Sequence, residues 1–392
     1  MQEIANNVYY VGVNDRRKML FENLWPLPGG VSYNSFLIVD GKTALMDTVD
    51  LHCSDSFFHR VGEALNGRSL DYLVVNHMEP DHSGCIPSLR QQYPGLRIVG
   101  NRHTFGMLAG YYGITEGLHE VREGDVLDLG HRRLKFFMAP MVHWPEVMVA
   151  CEETDGILFS ADAFGAYGTL DGGVTDSPGM DRYRDEMIRY YANIVGKYGT
   201  PVRKLLEKLP LPDIRTICPT HGPVWREHHA EAVDLYDRLS RYEGQPGVTV
   251  LYGSMYGHTG QMADTVADAL SEHGVRDIAV HDAGNSHASY VLRDVFKYRG
   301  LIAGSPTYSG RLFPPVESVL QQIETREVKN RLFGCFGSFT WAGMAVKRLA
   351  AFAEAMKWET VGEPVEQKQG MSEDSRRKCR ELGKAMAERI LT

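Results

Sequence analysis

The stretch Asn76-His77-Met78-Glu79-Pro80-Asp81-His82 carries the densest set of chemically capable residues in this sequence. His77, Glu79, Asp81 and His82 are all metal-ligand types, and they directly follow the apolar run Leu73-Val74-Val75. Three more candidates, His143, Asp162 and His221, each stand just past another apolar run far downstream. Seven ligands exceed what one tetrahedral ion needs and suit two ions that share a carboxylate. Asp162 fits the bridging place, because each of its two oxygens can hold one ion. Three carboxylates and four neutral imidazoles bring a charge of about −3, close to balancing two divalent ions. With no thiolate, the set favours iron or manganese over a structural zinc site.

Taken singly, these residues have ordinary explanations. A lone histidine after a strand is usually a surface or hydrogen-bonded core residue, and Asp162 alone fits a helix cap. Four acid or imidazole groups so close together do not, since clustering them costs solvation and repulsion unless a cation is present. His82 fits either as a direct ligand or behind the ligands. The other histidines, including His103, His131, His228, His229 and His258, receive no metal role.

The elements that must position these groups follow from the apolar runs. In extended backbone His77, Glu79 and Asp81, at i, i+2 and i+4, project to one side. Gly84 allows a turn into a helix beginning near Ile86. Strands are expected at 35–39, 43–46, 72–75, 97–99, 134–138, 156–159 and 216–218, and helices at 54–65, 181–195 and 227–242. Many short strands with helices outside give a layered α/β sandwich, in which His77, His143, Asp162 and His221 all lie just beyond strand ends. Glu243-Gly244-Gln245-Pro246-Gly247 reads as a linker, dividing the chain into 1–245 and 246–392.

Beyond the linker the pattern becomes strict strand–helix alternation, the mark of a doubly wound parallel sheet. Strands are expected at 248–252, 277–280, 300–303 and 332–336, and helices at 261–272, 289–295, 314–324, 344–356 and 373–390. Ser254-Met255-Tyr256-Gly257-His258-Thr259, between a strand and a helix, offers backbone N–H groups, hydroxyls and a helix N-terminus to a phosphate. It lacks both G-K-[ST] and G-x-G-x-x-G, so a monophosphate such as that of FMN fits better than ATP or NAD. Two further loops follow strands of the same sheet: Ser305-Pro306-Thr307-Tyr308-Ser309-Gly310 and Ser338-Phe339-Thr340-Trp341-Ala342-Gly343. Tyr308 and Trp341 are placed to flank a flavin ring, although an aromatic in a loop is more often simple packing.

Composition is permissive. The 392 residues are 43% hydrophobic and 23% charged, enough for two or three packed domains. The net charge of −8 argues against a nucleic-acid surface. No apolar stretch approaches the roughly 20 residues of a membrane span, and the N-terminus lacks the regions of a signal peptide. Six scattered cysteines without a C-x-x-C pair fit a reduced, cytoplasmic protein with no rubredoxin or iron–sulfur site of its own.

Together, His77-x-Glu79-x-Asp81-His82, His143, Asp162, His221 and the three loops resemble the signature of the flavodiiron proteins. The resemblance runs from Asn7 to the last helix. It implies a metallo-β-lactamase-like αββα sandwich holding two iron ions, followed by a flavodoxin-like domain holding FMN. Hydrolases of the first fold carry H-x-H-x-D-H, whereas Glu79 occupies the second histidine position here, as in the diiron branch. By that resemblance His77, Glu79 and His143 hold one iron, Asp81, His82 and His221 the other, and Asp162 lies between them. The implied activity is reduction of O2 to water, NO to N2O, or both, with O2 favoured. Electrons come from an external donor such as rubredoxin or a reduced flavin or deazaflavin system. A head-to-tail homodimer, or a dimer of dimers, sets the flavin of one subunit beside the metals of the other. Tyr191 is read either as a residue behind the ligands or as a buried structural tyrosine. The rivals are a zinc hydrolase carrying a flavodoxin-like domain, which Glu79 opposes, and a non-catalytic electron carrier, which the complete ligand set opposes.

Overall fold

A computed structural model describes residues 2–392, which form two compact units, 2–240 and 241–392. In the first unit a seven-stranded and a five-stranded sheet face each other. Tyr10, Phe36, Met46, Val74 and Val99 of one sheet share a buried core with Leu134, Phe136, Met148, Ile157 and Phe159 of the other. The helix Ser54–Leu65 covers the strand Phe36–Val39, and Gly199–Lys208 covers Arg133–Met138, so helices close both outer faces. This is an αββα sandwich.

Local sequence explains the supports nearest the ligand loops. Tyr72–Val74 runs parallel to both neighbours in the seven-stranded sheet, and its Leu73 and Val74 are fully buried. Arg102–Tyr112 starts where the Asn101 side chain accepts from the N–H groups of His103 and Thr104, and it ends at Gly113 with φ +67°. The helix expected over 181–195 is α-helical only from Asp181 to Tyr190, and Tyr191–Val195 continues as a π-helical turn.

The second unit has a wholly parallel sheet. Its strands run in the spatial order Ile278–Asp282, Gln245–Tyr252, Tyr298–Pro306 and Leu332–Phe339, with Glu359–Thr360 and Val365–Lys368 both paired to the last of these. That is the 2-1-3-4-5 order of a flavodoxin-like fold. The expected linker is only partly one: the strand Gln245–Tyr252 begins inside it, with a bulge between Gln245 and Val248. Gly247 is there for packing, since a Cβ would lie 2.4 Å from the Tyr298 ring.

Candidate metal centre and flavin edge

The seven candidate ligands converge in the first unit as two groups: His77, Glu79, His143 and Asp162, then Asp81, His82 and His221. His77, Glu79, Asp81 and His82 hang from the seven-stranded sheet, after Tyr72–Val74. His143, Asp162 and His221 follow Arg133–Met138, Ile157–Phe159 and Thr216–Cys218 of the five-stranded sheet. Each group therefore draws on both sheets.

In the first group Glu79 Oε2 lies 3.2 Å from both His77 Nε2 and His143 Nε2. Asp162 Oδ2 lies 3.4 Å from His77 Nε2 and 2.9 Å from His143 Nε2. Its other oxygen, Oδ1, faces the second group, 3.2 Å from His82 Nε2 and 3.7 Å from His221 Nε2. Asp81 Oδ2 completes that group, 3.5 Å from His82 Nε2 and 3.4 Å from His221 Nε2. Ligand atoms about 2.1 Å from a common ion are about 3.0–3.4 Å apart at octahedral to tetrahedral angles, which matches most of these separations.

The fit to cations is also visible in what the protein leaves unsatisfied. Asp81 Oδ1, both nitrogens of His82 and His221 Nε2 are buried without a hydrogen-bond partner among the described residues. Buried polar atoms in such numbers are costly unless something binds them.

Backbone conformation sorts the ligands differently from the extended-strand expectation. Pro80 opens a short helix, Pro80–Ser83, for which Glu79 is the N-terminal cap position. A proline's fixed φ suits the first helical position. Asp81 and His82 therefore turn away from Glu79 and join the second group. Gly84 is right-handed helical, not a turn glycine, and a Cβ there would meet the Pro80 carbonyl oxygen at 2.7 Å.

Residues with no motif hold the ligands from behind. Asp47 accepts from the backbone N–H of Asn76 at 2.7 Å and of His77 at 3.2 Å. Glu146 Oε1 receives His77 Nδ1–H at 2.8 Å, and the Ser32 carbonyl receives His221 Nδ1–H at 2.8 Å. Thr220 Oγ1 donates to Asp162 Oδ1 at 2.5 Å. Tyr190 adjoins the centre: its ring is 5.5 Å from that of His221, beside Phe21 at 5.1 Å and Tyr33 at 5.5 Å. Tyr191 is buried and packs on Tyr236. These supports come from distant segments, and no motif in the sequence pointed to them.

Electrostatics express the same demand for positive charge. Burial disfavours charged imidazoles, yet Asp162, Glu146 and Glu79 together raise His77 well above the usual histidine range. Against the same burial, Asp81 and Asp162 push His82 up to about 9, and Asp162 and Glu79 do likewise for His143. Burial would raise the Asp162 carboxyl, but His82 and His77 hold it well below the carboxylate range. Burial pushes Asp47 up to about 6. Metal ions taken up here would displace protons.

In the second unit, the loops containing Ser254–Thr259, Thr307–Gly310 and Ser338–Gly343 leave three adjacent parallel strands at the same edge. Gly257, at φ +92°, sits at the N-terminal cap of the helix His258–Glu272, whose first-turn N–H groups lack intrahelical partners. Gly257 N–H donates to Ser254 Oγ at 3.0 Å. Met255, Tyr256 and His258 are exposed, as are Ser309, Gly310, Thr340 and Ala342. Trp341 is 88% exposed and Tyr308 45%, the latter with its ring edge-on to Phe313 at 5.9 Å. Other hydroxyls are already engaged: Thr259 with Ser338 at 2.9 Å, and Thr307 Oγ1 as acceptor for the N–H groups of Met344 and Ala345. Phe339 is half-buried, and a Cβ at Gly343 would displace the exposed Glu366 carboxylate, whose Oε1 would lie 2.4 Å away. Open N–H groups, hydroxyls and two exposed rings suit a phosphate with a flat ring system.

Comparison with known proteins agrees with both halves. A model described as ODP family beta lactamase matches residues 31–222, and a flavodoxin model matches residues 250–383. A nitric oxide reductase of Moorella thermoacetica is 31% identical over 393 residues, covering 99% of this chain and 98% of its own. The solved flavodiiron protein of Giardia intestinalis superposes with a TM-score of 0.94 at 26% identity, covering 100% of this chain and 96% of that one. This chain belongs to the flavodiiron protein family. The rubredoxin oxygen:oxidoreductase of Desulfovibrio gigas also matches, with a TM-score of 0.94 at 26% identity, over 100% of this chain and 98% of that one. The anaerobic nitric oxide reductase flavorubredoxin of Aliivibrio fischeri is 32% identical over 403 residues, 98% of this chain and 78% of the relative.

Proposed function

We propose that this flavodiiron protein is an oxygen and/or nitric oxide reductase that takes electrons from a separate donor through FMN to a diiron centre. The observation that carries the reading is the pair of buried ligand groups sharing Asp162, with Glu79 among the histidines, in a chain that also holds a flavodoxin-like unit. His77, Glu79 and His143 would hold one iron and Asp81, His82 and His221 the other, with Asp162 facing both groups through its two oxygens. The segment 1–245 carries this centre and 246–392 carries FMN, held by Ser254–Thr259, Thr307–Gly310 and Ser338–Gly343.

Two ferrous ions supply two electrons and reduced FMN two more, which matches O2 + 4e⁻ + 4H⁺ → 2H2O, while two electrons match 2NO + 2e⁻ + 2H⁺ → N2O + H2O. The protein's own contribution is placement and exclusion. Glu146 and the Ser32 carbonyl fix which nitrogen His77 and His221 present. Phe21, Tyr33 and Tyr190 wall the His221 side against bulk water. Burial first, then the charges of Asp162, Tyr167, Asp81 and Glu79, keep the Tyr190 hydroxyl protonated, so it stays a neutral donor.

A head-to-tail dimer, or a dimer of dimers, brings one subunit's flavin beside the other's metals, and the donor is rubredoxin-like or a reduced flavin or deazaflavin system. Six free cysteines, five of them buried, fit a reducing, cytoplasmic setting. No described helix is long and apolar enough to cross a membrane.

The test is anaerobic pre-reduction of the iron-loaded protein followed by rapid mixing with each gas. Flavin and iron reoxidising within seconds with O2, NO or both supports the reading, and the faster gas identifies the preferred substrate. Reoxidation by neither gas would sink it. Iron supply during production matters, because zinc outcompetes iron(II) at most such sites.

A further inference from the structure

The two metal groups are alike in ligand type but differ in what stands behind them. Glu146 is completely buried. Its Oε1 lies 2.8 Å from His77 Nδ1 and 2.9 Å from the backbone N of Met78, so it grips the ligand stretch twice. Its Oε2 is buried with no partner among the described residues, and no cation pairs with the carboxylate apart from the His77 ring. The loop is fixed in turn by Asn101, whose Nδ2 donates to the Glu146 carbonyl at 2.6 Å while its Oδ1 caps the helix Arg102–Tyr112. The Trp144 ring stands edge-on to His77, with centroids 5.3 Å apart. Behind the second group no carboxylate is hydrogen-bonded to a ligand imidazole, and the buried Asp47 carboxyl acts on His82 only through space. His221 Nδ1 meets only the Ser32 carbonyl, and His82 Nδ1 has no partner among the described residues.

We propose that Glu146 is a positioning residue that acts through His77: it fixes the proton on Nδ1, presents Nε2 to the metal, and lends its negative charge to one half of the centre only. A carboxylate on the far nitrogen raises the basicity of a ligating imidazole. The ion held by His77, Glu79 and His143 is therefore bound more tightly, and is harder to reduce, than it would be with a neutral partner behind His77. The inference rests on the two-metal reading of the site. It makes the centre electronically unequal by construction, beyond the inequality of its inner ligands.

The experiment compares the wild-type holoprotein with Glu146→Gln, which keeps an acceptor oxygen for His77 and Met78 but removes the charge. In the iron-loaded proteins, chelator competition should show one of the two ions weakened by roughly ten- to hundredfold and the other unchanged. An EPR-monitored redox titration should show a diiron potential shifted upward, with the FMN potentials unmoved as an internal control. Unchanged affinity for both ions and unchanged diiron potentials in a folded, FMN-loaded variant would overturn the proposal. Failure of the wild type to load two ions would instead overturn the two-metal reading. If Glu146→Gln does not fold, NMR of the zinc-loaded wild type with 15N-labelled histidine decides. The His77 Nδ1 proton should be present and downfield of the corresponding proton of His221, whose acceptor is a carbonyl. An unprotonated His77 Nδ1, or no separation of the two signals, counts against it.

Discussion

Glu79 uses its two ends for different tasks. Its carbonyl accepts from the N–H groups of His82 and Ser83 and so starts the short helix, while its carboxylate turns to His77 and His143. The six-residue spacing was legible because so many ligand types rarely crowd together without a reason. The supports were not: Glu146 stands 69 positions from His77 and has no motif around it. His82, ambiguous in the sequence, has its Nε2 3.2 Å from Asp162. Asp162→Ala and His143→Ala should each lower turnover by more than roughly a hundredfold, beyond the range expected for outer-shell partners. Both should retain FMN, as measured by the flavin-to-protein ratio. Loss of flavin from both would undermine the two-domain division.

Elements show where pattern carried information and where length defeated it. Parallel strands buried on both faces are continuous apolar runs, so the second unit's alternation could be read directly. The first unit's strands Leu20–Phe21 and Trp25–Pro26 have only two residues each, too few for any period to show. Yet this hairpin sets Phe21 against His221. At the flavin edge, Gly257 needs its positive φ more than its small size, since a Cβ at this position would meet nothing within 4 Å. Gly257→Ala should therefore destabilise this turn by about 1–2 kcal/mol and weaken FMN retention. Urea titration followed by flavin fluorescence measures both. Nearby in the same unit, Asp294 is buried against His281 at 2.8 Å and against Arg293. Burial alone would raise its carboxyl, but these partners hold it below the ordinary range. A lowered folded value means that the stabilisation is present above about pH 4, the unfolded value, and is lost as pH falls toward the folded one. Asp294→Asn should lower stability at neutral pH and flatten the acid limb of the unfolding profile.

For the whole molecule, the proposed head-to-tail dimer makes a test by complementation possible. Asp162→Ala protein, which keeps FMN, and wild-type protein stripped of FMN under conditions that preserve metals should each be inactive. Exchange of subunits between them should restore turnover, because a mixed dimer contains one complete flavin–metal pair. No recovery after demonstrated exchange would count against that arrangement. Chelation should lower the thermal transition of the first unit, since ligands that bind only the folded state stabilise it, and should leave flavin release from the second unit unchanged.

One consequence of the ligand geography concerns biogenesis. Neither candidate ligand group is complete on one sheet: the seven-stranded sheet offers His77, Glu79, Asp81 and His82, and the five-stranded sheet offers His143, Asp162 and His221. On the proposed two-metal reading, both groups are complete only once His221 has been synthesised and its strand has joined the second sheet, so a fragment ending before His143 should bind metal more weakly than the full chain.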